Sequence, residues 1–84
     1  MMPHKARFAS LDSAIVETLA NRPFRRDELS EVPAVRTHAL RLNIRRAGVS
    51  PSNSADATIN ERLQALRRGG RVMYDLATSR WFTT

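Results

Sequence analysis

Cysteine is absent from this sequence of 84 residues, which excludes disulfides, thiolate metal sites and cysteine nucleophiles. Glycine occurs only at Gly48, Gly69 and Gly70, so no glycine-rich loop is available to cradle a phosphate. The two histidines, His4 and His38, cannot supply a three-histidine metal site. Ser10, Ser50, Ser52 and Ser54 have no matching base and acid nearby, so no catalytic residue is assigned. Neither a cofactor nor a metal is expected, nor an enzyme. No apolar run exceeds four residues, too short to span a membrane. The stretch Met1 to Arg7 leads into no apolar signal core, and secretion is not expected. The length suits one small domain, which buries roughly 60% of the surface its unfolded chain exposes. Stability on the order of 5 kcal/mol follows.

What the chain has in abundance is arginine. Fourteen basic residues face eight acidic ones for a net charge of +6, and Lys5 is the lone lysine. Arginine makes forked contacts to phosphate and to guanine edges, and basic domains of this size bind nucleic acid by releasing counterions. A solvated basic surface without a partner is the plainer alternative. The charges are clustered. Asp27, Glu28 and Glu31 form an acidic knot suited to the positive end of a helix dipole. Arg36, Arg41, Arg45 and Arg46 follow with no acid among them, and the later arginines form the expected binding surface.

Periodicity and punctuation predict the elements. Residues 1–9 read as a loose basic arm, with Phe8 docking back, and residues 10–84 as one domain. Ser10 is the expected N-cap of a helix over 11–20, with Leu11, Ile15 and Leu19 on its inner face and Val16 and Ala20 beside them. Pro23 ends that helix, and Phe24 sits in a very short extended piece. A helical turn runs from Arg26 or Asp27 to Val32. A helix from Pro33 to Ala47 follows, with Gly48 as its stop. Its two apolar faces, Val35/Ala39/Leu42 and Leu40/Ile44/Ala47, suit packing on both sides. Alternation of Leu40, Leu42 and Ile44 also fits a strand over 38–45, against which the proline start and glycine stop favour helix. Val49 to Ala55 reads as loop, and Asp56 as the N-cap of a helix over 57–68. Ile59, Leu63 and Leu66 form its inner face, with Glu61, Gln64 and Arg68 opposite. Gly69-Gly70 ends it. Arg71 to Asp75 and Arg80 to Thr83 then predict a β-hairpin around Leu76 to Ser79. One or both of Trp81 and Phe82 are expected to close the core against Leu19 and Leu63, with Tyr74 similar and stacking on bases as the alternative, and His38 is expected half-buried.

The run Thr58-Ile59-Asn60-Glu61-Arg62-Leu63-Gln64-Ala65-Leu66-Arg67-Arg68-Gly69-Gly70-Arg71-Val72 resembles the recognition helix and first wing strand of winged helix-turn-helix domains. Ile15 to Leu19 and Phe24-Arg25-Arg26-Asp27-Glu28-Leu29 are similar to that family's first helix and the approach to its second. The likeness spans nearly all of residues 11–83 and is one of architecture rather than of invariant residues. The Gly48 to Ala55 loop is longer than the usual turn between the two helices, and Pro33 adds a break.

The resemblance implies an α+β, mainly helical fold of three or four helices followed by a C-terminal β-hairpin wing. It implies double-stranded DNA binding, sequence-specific or architectural, by a small transcriptional regulator of the bacterial or phage type. The expected location is the bacterial cytoplasm or nucleoid, or the cytoplasm of a phage-infected cell. The recognition helix would enter the major groove with Thr58, Asn60, Glu61, Arg62, Gln64, Arg67 and Arg68. The wing (71–83) would meet the backbone through Arg71, Thr78, Ser79 and Arg80. The helix start near Asp56 would meet a phosphate, and Lys5 and Arg7 would add nonspecific contacts. Surface ion pairs of Arg62 and Arg67 with Glu61 and Asp75 are the plainer assignment. A homodimer is expected, with Leu40, Ile44 and Ala47 as its surface. The alternative is a protein-interaction module docking an acidic partner or regulator, for which exposed Leu40, Ile44 and Met73 would matter most. Neither membrane nor small-molecule substrate is expected as a partner.

Overall fold

The computed structural model describes residues 8–42 and 48–84. Among them are four helices and a two-stranded antiparallel hairpin, in the order α1 (Ala9–Asn21), α2 (Arg26–Glu31), α3 (Pro33–Arg41), α4 (Pro51–Arg68), β1 (Val72–Asp75) and β2 (Arg80–Thr83).

In α1, Leu11, Ile15 and Leu19 recur every four residues and are buried, as their spacing predicts, and Ala14 joins them. Val16 is half-buried against the same core, whereas Ala20 is exposed. The helix starts earlier than expected. Phe8, not Ser10, is the cap, and its carbonyl accepts the Asp12 N–H at 2.8 Å. Ser10 lies exposed within the first turn. At the other end Arg22 is fully extended, the conformation a following proline favours. The extended piece after it is one residue long. Phe24 forms a single antiparallel bridge with Trp81, its N–H reaching Trp81 O at 3.0 Å and its carbonyl accepting Trp81 N–H at 2.7 Å.

α2 buries one side chain, Leu29, completely. Its first turn is closed by Glu28, whose carboxylate accepts the Arg25 backbone N–H at 2.9 Å. Asp27 and Glu28 of the acidic knot thus stand in the first turn, as the dipole favours, whereas Glu31 is the last residue of α2. Val32 is extended ahead of Pro33, which opens α3 at its first position. Val35 and Ala39 are buried in α3, Leu42 is half-buried, and His38 is half-buried as expected. Helix is thereby the outcome for 38–41, not strand. The rest of the predicted helix, with Ile44 and Ala47, lies outside the described residues. Gly48, its expected stop, has φ +71.

α4 corrects the sequence reading most. It begins at Pro51, not at Ala57, and Val49 to Ala55 is largely helix rather than loop. Ser50 is the N-cap, its Oγ accepting the Asn53 N–H at 3.2 Å, and Pro51 follows at N1. Asp56, the expected cap, lies inside the second turn. The C-terminal end is a Schellman motif: Gly70 at φ +76 turns the chain, Gly70 N–H reaches Arg67 O at 3.0 Å, and Arg71 N–H reaches Leu66 O at 2.9 Å.

β1 and β2 pair in the register Val72↔Thr83, Met73↔Phe82, Tyr74↔Trp81 and Asp75↔Arg80. Val72 and Trp81 therefore share the buried face. Tyr74 packs on Trp81 with centroids 4.9 Å apart, whereas Met73 is exposed and Phe82 half-buried. The core joins Leu11, Ile15 and Leu19 of α1 to Leu29, Val35, Ile59, Leu63, Val72 and Trp81, so every element contributes.

Candidate nucleic-acid interface

Helix α4 presents two polar flanks around its buried stripe of Ile59, Leu63 and Leu66. The flank toward α1 is closed. Arg62 makes a forked contact with Asp12, Nε to Oδ1 at 2.9 Å and a terminal nitrogen to Oδ2 at 2.8 Å. Its guanidinium also lies 4.5 Å from the centre of the Phe8 ring, so Phe8 docks on the domain as expected. Side-chain exposures of 21% for Arg62 and 11% for Asp12 make this a largely desolvated pair. The hydrogen bonds to Asp12 raise the Arg62 pKa above the ordinary arginine value against the opposing effect of burial, and the charges of Asp12 and Glu61 add to them. Arg62 was expected to read DNA or to pair with Glu61 at the surface; Asp12 holds it instead. Thr58 also leaves the expected reading face. It is 1% exposed, and its hydroxyl donates to Ser54 O at 2.9 Å. With α4 starting six residues earlier, position 58 falls in the packed middle of the helix.

The flank toward the hairpin is open. Asn60, Gln64 and Arg67, spaced i, i+4 and i+7, line a surface groove of about 570 Å³ with Arg25, Arg26 and Ser79. Glu61 and Arg68 stand exposed beside them on α4. Among the described residues Arg26, Arg67 and Arg68 have no ion-pair partner, so the expected Arg67–Asp75 pair does not form. Arg25 and Arg26 were missed as site residues, although an arginine pair at a helix start was visible in the sequence. Arg25 lies 3.6 Å from Asp27 and 3.8 Å from Glu28, and Arg80 lies 3.9 Å from Glu28. The Glu28 carboxyl is held below the usual carboxylate range, first by the Arg25 N–H and then by the charges of Arg25, Arg22 and Arg80.

The residues expected to form wing contacts scatter over the hairpin. Arg71 lies on the closed side, lining a hollow with Arg62 and Asp12. Thr78 and Arg80 border another hollow with Arg22 and Phe82. The Thr78 hydroxyl donates to Asp75 Oδ2 at 3.0 Å. Of the four expected wing contacts, only Ser79 shares the groove with the outer flank of α4.

Arg36, expected on the binding surface, is a structural tie. It donates to Ser30 O and Asp56 Oδ1, each at 3.3 Å, and to Ser52 Oγ. One side chain thereby joins α2, α3 and the first turns of α4. Asp56 is engaged in this tie, so the helix start that faces outward is at Pro51 instead. Leu40 is exposed, while its expected companions Ile44 and Ala47, together with Lys5, Arg7, Arg45 and Arg46, lie outside the described residues.

Among the described residues no three His, Cys, Asp or Glu side chains come together as a metal site. No described helix is long and apolar enough to cross a membrane. No family model matches the chain, and no curated protein or solved structure matches it.

Proposed function

We propose that this chain is a winged helix-turn-helix module that binds double-stranded DNA, with α4 in the major groove and the β1–β2 hairpin as the wing. The observation that carries the reading is the outer flank of α4. Asn60, Gln64 and Arg67 open to one groove while Ile59, Leu63 and Leu66 of the same helix are buried. The Phe24–Trp81 bridge also supports it, since it places a third extended segment beside β2 after the first helix.

The reading face is Asn60, Glu61, Gln64, Arg67 and Arg68, without Thr58 and Arg62. Arginine fits guanine O6 and N7, asparagine or glutamine fits adenine N6 and N7, and Glu61 accepts from a cytosine amino group. Each well-formed bidentate pair discriminates by about 1–3 kcal/mol. Arg25 and Arg26 flank the groove as phosphate contacts, and Ser79 adds a neutral one. The corresponding role is that of a small regulator occupying its site as a dimer, since single modules of this size bind specific sites weakly.

Salt titration of duplex binding tests the reading. Arg25 and Arg26 on phosphate in each subunit of a dimer give a log–log slope of roughly −4, and affinity that stays flat between low and moderate salt sinks it. The competing reading is docking onto an acidic protein partner, and Leu40 and Met73, each 44% exposed, favour it. The double change Arg67→Glu/Arg68→Glu separates the two from Leu40→Asp. Loss of function in Leu40→Asp alone selects docking.

A further inference from the structure

Among the described residues one exposed apolar side chain stands apart from the rest. Leu40 and Met73 are 44% exposed and Val49 41%, whereas Leu76 is 85% exposed. Leu76 is the first residue of the hairpin turn, and that turn is tied down. Asp75 Oδ1 accepts the Ala77 N–H at 2.9 Å, Asp75 Oδ2 accepts the Thr78 hydroxyl at 3.0 Å, and Ser79 adopts φ +55. The leucine is thus projected by a hydrogen-bonded turn. It lines the same groove as Arg25, Arg26 and Arg67.

An apolar tip beside guanidinium groups suits a partner that is anionic at its rim and apolar within. Duplex DNA has both: phosphates along the groove edges and stacked base faces between them. Parting a base step with an aliphatic side chain is a known route to kinked DNA, used by minor-groove binders that also carry arginine and lysine. We propose that Leu76 is a wedge that enters the minor groove next to the α4 site and unstacks a base step while Arg25 and Arg26 hold adjacent phosphates. This rests on the DNA reading above and adds to it a deformed duplex as the preferred partner.

The test uses the full chain and two duplexes of equal length, one fully paired and one carrying a single mismatch beside 2-aminopurine. A mismatched step is already partly unstacked, so the wild-type chain favours that duplex by about tenfold, and 2-aminopurine brightens on binding. Leu76→Ala is expected to bind the paired duplex within about twofold of wild type, with the same salt slope. It loses the mismatch preference and the brightening, and Leu76→Phe retains both. The high exposure of Leu76 leaves folding untouched by these changes, which thermal melting checks. Salt-dependent binding with no mismatch preference in the wild type, or with a preference that survives Leu76→Ala, overturns the wedge and leaves the DNA reading standing. Equal weakening on both duplexes by Leu76→Ala overturns it as well. Failure of the wild type to bind either duplex overturns both.

Discussion

The two flanks of α4 carry the same residue type to opposite ends. On the α1 side Arg62 is locked to Asp12 in a forked, mostly buried pair. On the hairpin side Arg67 opens to a groove, with Arg68 exposed beside it. The two sets lie one and a half turns apart on one helix. What separates their roles is where the rest of the chain places a carboxylate. α1 brings Asp12 against the first, whereas Asp75, seven residues beyond Arg68, is occupied with its own turn, and Asp27, which lines the groove, lies against Arg25. Arginine count therefore overstates the binding surface, because Arg36 and Arg62 belong to the scaffold.

The largest expected effect tests the open flank. Arg67→Glu/Arg68→Glu lowers duplex affinity by roughly a hundredfold at moderate salt and flattens the salt slope, with the melting temperature nearly unchanged. Anisotropy titration and calorimetry together check it, and a large fall in melting temperature would show that these arginines are structural after all.

The closed flank should respond in the opposite way. Arg62→Ala leaves Asp12 without its partner and costs about 2 kcal/mol, or roughly 10 °C for a domain of this size. Under conditions where the variant is folded, duplex affinity stays within a few-fold. An unchanged melting point with lost binding reverses the assignment of the two flanks.

Smaller effects lie at the two ends of α4. Gly70→Ala forces a side chain into the left-handed region and costs about 1–2 kcal/mol, although its Cβ meets nothing within 4 Å. Ser50→Ala removes the N-cap and costs about 1 kcal/mol in urea unfolding. A null result there moves the functional start of the helix back toward Asp56.

The smallest expected effect concerns pH. The Glu28 carboxyl is depressed in the folded chain, so its stabilisation is present above the ordinary glutamate range and is lost as pH falls through the lower folded value. Melting curves of wild type and Glu28→Gln should converge on acidification. The raised Arg62 value leaves that residue charged throughout, so its side of the Asp12 pair adds no slope near neutrality.

Local patterns read well wherever one residue type has one structural use. The spacing of Leu11, Ile15 and Leu19, the Gly-Gly stop and the hairpin strands all stand where periodicity puts them. Ser50-Pro51 was misread because serine and proline mark both loops and helix starts, and composition alone favoured the loop. Within the expected site, Asn60, Gln64, Arg67 and Ser79 converge on one groove, while Thr58 is buried by the longer helix and Arg62 is taken by Asp12.

By itself the sequence determined the basic charge, the helical periods and their turn chemistry, because those depend on residues a few positions apart. Which arginines stay open was decided by tertiary structure alone. Asp12 and Arg62 are 50 residues apart, and Arg36 and Asp56 are 20 apart. Pairs so distant meet only when helices pack, and that packing separates scaffold cations from those left facing solvent.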